Sequence, residues 1–301
     1  MRATTAALYI RAMTSASEPG STSAGASTIG GELTVNRLGF GAMRITGPGI
    51  WGDPPDPSGA RRLLQRAVEL GVNFIDTADS YGPEVSERLV AEALHPYPEG
   101  LVVATKGGIV RPAADQWVRD GRPAHLREAC LASLKRLKLE RIDLYQFHAI
   151  DPAVPLEESL GEIARMQAEG FIRHVGVSNV DADELVRARA IVDVVSVQNR
   201  YNVSDRSSDP VLAVCERDGL AFIPWSPLSQ APRDAGSAAH AALQSWAARR
   251  EASISQAAIA WLMARSPAML PIPGTSSIEH LEDNLLAANL RFTLEEIIEI
   301  G

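Results

Sequence analysis

Eight short apolar runs alternate along the chain with longer stretches in which apolar residues recur at three- and four-residue spacing. The runs are Leu38–Ala42, Val72–Ile75, Leu101–Thr105, Asp143–Phe147, His174–Val177, Val194–Val197, Leu220–Pro224 and Met269–Ile272. Near-continuous apolar runs of this length read as parallel strands buried on both faces. Between them, Ser58–Leu70 places Ala60, Leu63, Leu64, Ala67 and Val68 on one helical face. Glu84–Leu94, Pro123–Leu137, Leu156–Glu169, Asp181–Ile191 and Pro210–Arg217 follow the same period. Strand and helix in alternation predict an α/β fold, a (β/α)8 TIM barrel rather than an open sheet.

Local signals sharpen the boundaries. Ser58, Ser86 and Asp181 offer side-chain acceptors for orphan amides at helix starts, and Gly71, Gly170 and Gly219 sit where a left-handed residue ends a helix. Gly30-Gly31, flanked by strand-like residues between Thr28 and Val35, predicts an N-terminal β-hairpin closing the bottom of the barrel. Two helical stretches, Ser237–Arg250 and Ile254–Ala264, precede the last strand, so one of them is an extra helix. A Rossmann fold is disfavoured: Gly39-Phe40-Gly41 lacks the third glycine and the following helix of a dinucleotide fingerprint.

Composition narrows the classes further. A chain of 301 residues with 46% hydrophobic content can bury a sizeable core, and one α/β barrel needs about 250 residues. A formal net charge of -8 lacks the basic footprint of a nucleic-acid binder. No apolar stretch approaches the ~20 residues of a membrane span. Cys130 and Cys215, with no cluster or CxxC, read as buried free thiols in a reducing cytoplasm. The six histidines form no ligand-spaced pair, so no metal is expected. Residues 1–28, rich in Ala, Ser, Thr and Gly, read as a disordered tail, or as an upstream start with Met13 the true one; residues 29–301 form the barrel domain.

Four polar residues lie just past apolar runs. Asp76 follows Phe74-Ile75, Tyr81 lies one short loop on, Lys106 closes Leu101–Thr105 and His148 closes the run through Phe147. Residues at the carboxyl ends of barrel strands converge at one mouth. Together they form a proton-transfer set for a carbonyl oxygen. A tyrosine, with an ordinary pKa of about 10, donates or accepts a proton more readily beside an ammonium. Asp76 can hold Lys106 charged and oriented, and His148 can donate to the oxygen and align it. Taken singly, each residue has a bland reading as packing, a solvated surface group or a turn cap. Asp79, so close to Asp76, leaves the identity of the carboxylate open.

Seven stretches in register resemble the aldo-keto reductase superfamily: Ile75-Asp76-Thr77-Ala78-Asp79-Ser80-Tyr81-Gly82, Ala104-Thr105-Lys106, Tyr145-Gln146-Phe147-His148, Gly176-Val177-Ser178-Asn179, Gln198-Asn199-Arg200-Tyr201-Asn202, Pro224-Trp225-Ser226-Pro227-Leu228 and Ile272-Pro273-Gly274-Thr275-Ser276. Within it, Gly47-Pro48-Gly49-Ile50-Trp51-Gly52 and Gly274-Thr275-Ser276-Ser277 are similar to bacterial reductases that include pyridoxal reductase-like (pyridoxine 4-dehydrogenase) members. The resemblance implies Tyr81 as general acid, Lys106 and Asp76 as its tuners, His148 as the orienter, and assigns the carboxylate to Asp76.

It also implies a nicotinamide cofactor. Ser178, Asn179 and Gln198 would hold the carboxamide, Trp225 would stack on the ring, and Ser226 and Leu228 would run along the pyrophosphate. Gly274, Thr275 and Ser276 precede a helix from Ser277, a natural phosphate site; Asp283 and Asn284 match adenine contacts. Many members carry cations at the positions of Gly274 and His280 for the adenosine 2′-phosphate, and this chain has neither. The expectation is NADPH, with NADH open. Trp51 and Trp117 are candidate substrate-pocket walls, and the arginines of loop 111–122 are either solvated or meet an anionic substrate. The implied activity is reduction of a small-molecule carbonyl by a cytoplasmic monomer or small homo-oligomer. A nicotinamide-sensing regulatory protein on the same fold, and an aldolase or isomerase using Lys106 as a Schiff-base amine, are the alternatives.

Overall fold

Seven parallel strands form one curled sheet, in the spatial order Ala221–Trp225, Val194–Arg200, Ile172–Ser178, Ile142–Phe147, Val102–Gly107, Phe74–Asp76 and Phe40–Gly41. The computed structural model describes residues 20–228 and 237–300. Every neighbouring pair of the seven is parallel, as their apolar composition requires. Chain order and spatial order coincide, so each strand is followed by a helix that crosses over to the next.

The expected eighth strand, Met269–Ile272, is not a continuous strand. It makes one parallel bridge, Phe222 to Met269. Phe222 N–H donates to Ala268 O at 2.8 Å and Leu270 N–H to Phe222 O at 2.9 Å, while Gly39 N–H donates to Pro271 O at 2.9 Å. The segment therefore bonds to the last strand on one side and to the residue before the first strand on the other. Pro271 and Pro273 have no N–H to offer, which breaks the ladder without preventing the segment from filling the gap. The arrangement is consistent with a (β/α)8 barrel. The first strand is also shorter than expected, since Ala42–Ile45 turns into a 3-10 helix.

A hairpin pairs Ala26–Ile29 with Leu33–Asn36, antiparallel, around Gly30 and Gly31, both left-handed. Its Ile29, Leu33 and Val35 are buried in one cluster with Phe74, Val102, Leu144 and Ala221. Phe74, Val102 and Ala221 open their strands, so the hairpin covers the amino ends, away from the strand termini that carry the polar set. The fold starts earlier than the expected boundary at Ile29. Ser21 is buried, its N–H donates to Leu70 O at 2.9 Å, and its hydroxyl donates to Leu38 O at 2.6 Å. Residues 1–19, with the alternative start at Met13, lie outside the described residues.

Helix boundaries follow their caps, with two departures. Asp181 forms a capping box with Glu184, and Gly71, Gly170 and Gly219 are left-handed as expected. The helix Pro57–Glu69, however, is capped by Asp56, whose carboxylate accepts from Gly59 N–H, and not by Ser58. Ser86 lies inside the helix Val85–Leu94, where its hydroxyl donates to Ala42 O and ties that helix to the 3-10 turn after the first strand. The helices Ala238–Ala248 and Ile254–Arg265 both precede the last barrel segment. Among the described residues no helix is long and apolar enough to cross a membrane. Cys130 and Cys215 are buried free thiols, both pushed up to about 12 by burial.

Phe74, fully buried where hairpin and strands meet, supplies the test of this packing. Phe74→Ala is expected to lower stability by about 3–5 kcal/mol, read by urea unfolding. A loss under about 1 kcal/mol would mean the hairpin cluster does not hold the sheet.

Candidate active site

Parallel strands all end on the same side, so the polar residues that close them meet. Asp76 ends Phe74–Asp76, Lys106 lies at the end of Val102–Gly107, and His148 follows Ile142–Phe147, its N–H donating to Gly107 O at 3.0 Å. Tyr81 is carried in by the loop after Asp76. That loop is tied to the neighbouring strand by Thr77 N–H to Ala104 O at 2.8 Å and Asp79 N–H to Lys106 O at 3.3 Å.

The Lys106 ammonium is the hub. Its Nζ donates to Asp76 Oδ2 at 2.6 Å, Thr77 O at 2.9 Å and Tyr81 Oη at 3.3 Å. Three protons have three acceptors, so the group is saturated. Lys106 is 0% and Asp76 1% exposed. Burial favours a neutral lysine, but the charge of Asp76 and the contact with Tyr81 outweigh it, holding Lys106 above its ordinary value. For Tyr81, burial raises the phenol above its usual range, and the ammonium opposes that rise. The ammonium thus limits an upward shift and does not produce the lowered phenol the sequence reading expected. His148 is held well below an ordinary imidazole, first by burial and then by the charge of Lys106. It faces Tyr81 edge-on at 5.9 Å between ring centroids, and its Nδ1 lies 3.4 Å from Ser80 Oγ.

The two aspartates differ in what they touch. Asp76, not Asp79, touches Lys106. Burial and the nearby Glu87 push the Asp79 carboxyl well above the usual range, and its Oδ1 has no partner among the described residues.

Asp76 has a second set of neighbours that the sequence reading passed over. Gln146 Nε2 and Gln198 Nε2 both donate to Asp76 Oδ1, at 3.0 and 2.8 Å, and Gln198 Nε2 also reaches Gln146 Oε1 at 3.2 Å. A glutamine inside a buried apolar strand was the available signal for Gln146. With both carboxylate oxygens satisfied, Asp76 is locked toward the lysine.

These residues line a cavity of about 580 Å³. Tyr81, Asp76, His148, Ser178, Asn179, Gln198, Trp225, Ser226, Leu228, Gly274 and Trp117 border it. Met43 and Arg44, which the sequence reading did not single out, border it too. Asn179 is a strut: its Nδ2 donates to His148 O at 3.0 Å and to Ser178 Oγ at 3.1 Å, while its Oδ1 accepts from Trp225 Nε1 at 2.9 Å. Asn179 and Ser226 both adopt left-handed backbone, φ +58 and +55, a strain that clusters at binding sites. Ser178 Oγ donates to Gln198 O at 2.7 Å. Gln198 Oε1 accepts from no described residue, so it is available to an incoming amide donor.

The remaining expected residues fall elsewhere. Ser276 lies in an adjacent cavity with Met43, Arg44 and Ile50. Thr275 is buried and accepts from Ser277 N–H at 3.1 Å; Ser277 caps the helix Ile278–Leu286. His280, Asp283 and Asn284 do not border the main cavity. Asp283 accepts from Ser253 Oγ at 2.7 Å and Gln256 Nε2 at 2.6 Å, a structural duty that the sequence did not reveal. Trp51 also stands outside it, at 36% exposure. Gly274 has a steric reason to be glycine: a Cβ there would lie 2.5 Å from Gly41 O. No group of residues suited to a metal ion occurs among the described residues.

Known proteins resemble this chain in sequence and in fold. Residues 37–301 match the Aldo/keto reductase family. The chain is 49% identical over 265 residues to an uncharacterized oxidoreductase of Schizosaccharomyces pombe, covering 88% of this chain and 85% of that protein. It is 39% identical over 275 residues to pyridoxine 4-dehydrogenase of Escherichia coli, covering 89% and 94%. An aldo-keto reductase from Klebsiella pneumoniae, solved in complex with NADPH, superimposes with a TM-score of 0.77 at 25% identity, covering 91% and 93%. A match running from just before the first strand to the last residue, joined to a fold shared almost end to end, shows that the chain belongs to the aldo/keto reductase family.

Proposed function

We propose that the protein is an NADPH-dependent oxidoreductase that reduces an aldehyde or ketone to an alcohol, with Tyr81 as the general acid. The observation that carries this reading is the buried Asp76–Lys106–Tyr81 chain opening onto the cavity beside His148. Its frame is read as a closed (β/α)8 barrel within residues 29–301, to which the turn from Ser21 and the first hairpin strand, Ala26–Ile29, are additions.

The cavity fits a nicotinamide. Gln198 Oε1, Asn179 and Ser178 are grouped to meet a carboxamide, and Trp225, aligned by Asn179, offers a ring face beside them. The bound dinucleotide would supply the hydride. Everything else falls to the chain. Tyr81 presents a protonated phenol, since burial raises its pKa, and donates that proton to the carbonyl oxygen. The Lys106 ammonium, 3.3 Å away, stabilises the phenolate left behind. His148 is neutral; when Ser80 Oγ donates to its Nδ1, 3.4 Å away, Nε2 carries the hydrogen and orients the substrate oxygen.

NADPH is preferred over NADH because the Klebsiella relative is solved with NADPH, although Gly274 and His280 supply no permanent cation. Pyridoxal is the first substrate to try, given the Escherichia coli relative. A Schiff-base role for Lys106 is disfavoured, because a saturated and charged ammonium is no nucleophile.

Oxidation of NADPH followed at 340 nm, with pyridoxal and a panel of aldehydes and ketones, tests the reading. Tight NADPH binding with no turnover of any carbonyl would favour the sensor alternative. Tyr81→Phe and Lys106→Met are each expected to lower kcat by about 10²–10⁴-fold with NADPH affinity nearly unchanged. Full turnover by Tyr81→Phe would assign the proton to another group.

His148 gives a pH prediction with a definite sign. Its folded pKa lies below the ordinary 6.5, so between the two values the unfolded chain binds the extra proton. Stability is therefore expected to fall as pH drops below about 6.5. The same fall should be absent in His148→Gln. An NMR titration showing His148 half protonated at pH 6.5 would overturn the neutral assignment.

A further inference from the structure

Of the three arginines in loop 111–122, Arg119 and Arg122 are exposed to solvent. Arg119 donates to Ile150 O at 3.1 Å, and Arg122 is paired with Asp120. Arg111 is the unusual one. It is 7% exposed, yet it has no ion-pair partner among the described residues. A buried charge needs compensation, and Arg111 finds it in backbone carbonyls and aromatic rings. Its Nη1 donates to Ile50 O at 3.1 Å and Ser80 O at 3.4 Å; its Nη2 donates to Gly49 O at 3.3 Å and to Ala114 O. The guanidinium carbon lies 3.7 Å from the Trp117 ring centroid and 5.6 Å from that of Trp51.

One side chain thus joins three loops: 47–52, 76–82 and 111–117. Each join bears on the site. Ile50, a β-branched residue, is left-handed at φ +57, a costly conformation, and the guanidinium grips its carbonyl and that of Gly49. Ser80 precedes the proton donor Tyr81, and its hydroxyl faces His148. Trp117 stands edge-on to Tyr81, 6.5 Å between centroids at 70°, and borders the cavity with 41% of its surface exposed. An exposed indole on a loop would ordinarily be free to swing. Backed by a guanidinium, it is a fixed aromatic surface beside the phenol.

We propose that Arg111 is a positioning residue that fixes Trp117 as one wall of the substrate site, and so favours carbonyl compounds carrying a planar ring. The inference rests on the reductase reading above and adds a substrate class to it. Arg111 touches no reacting atom; it acts through Trp117 and the Ser80 carbonyl. Arginine is required over lysine, because four carbonyls shared between two terminal nitrogens match a fork and not a point charge.

The test compares benzaldehyde with butanal as substrates of the full chain. In Arg111→Met the KM for benzaldehyde is expected to rise about tenfold, the loss of roughly one stacking contact. The KM for butanal should change less than about twofold, and NADPH affinity by direct titration should stay the same. Arg111→Lys should show the same selective shift, and Trp117→Ala should reproduce it. Trp117→Ala is decisive if Arg111→Met fails to fold, because that side chain is already two-fifths exposed. Equal rises for both aldehydes, or unchanged KM for both, would overturn the inference while leaving the reductase reading intact. Wild-type protein that reduces neither aldehyde nor any other carbonyl would overturn the reductase reading, and the inference with it.

Discussion

The burial of one lysine charge constrains the site more than any other interaction. Removing an ammonium from water costs several kcal/mol, roughly, even after relaxation. Lys106 offsets that cost with a carboxylate, a backbone carbonyl and a phenol, one for each proton. The carboxylate is in turn anchored by two glutamines from two further strands. Strands Phe74–Asp76, Val102–Gly107, Ile142–Phe147 and Val194–Arg200 each contribute one member. The network therefore exists only if those strands hold their register, and a slip of one residue would turn each member to the other face.

That dependence explains why a floor is needed. The apolar cluster under the strands, closed by Ile29, Leu33 and Val35 of the hairpin, fixes the amino ends while the polar network fixes the carboxyl ends. Between them the register has no freedom. The eighth position needs no regular strand, because Met269–Ile272 has only to fill the gap between two edges.

The sequence carried the repeating architecture and the four central residues clearly, because both are written in local patterns. Apolar runs of strand length mark the strands, and a polar residue at the end of a run marks the mouth. What it hid were choices between neighbours. Asp56 rather than Ser58 caps the first long helix, since proline at the first helical position moves the start. Asp283, expected as an adenine contact, also holds Ser253 and Gln256, a link across 30 residues that no local pattern records. Arg111 was read with two other loop arginines as solvated or meeting an anionic substrate, and it is buried instead. Its meaning depends on two tryptophans and three loops that only the fold brings together.

Asn179 connects features so far treated separately. One amide holds the indole of Trp225 through its oxygen and the backbone of His148 through its nitrogen. In the proposed reaction, the first of these seats the donor ring and the second seats the acceptor carbonyl. Neither seat can rotate without the other. With donor and carbonyl oxygen both seated, a ketone with two different arms has one freedom left, which arm lies toward the Trp117 side of the cavity. A side chain that takes no part in bond making would thus reduce the chirality of the product to the placing of two arms.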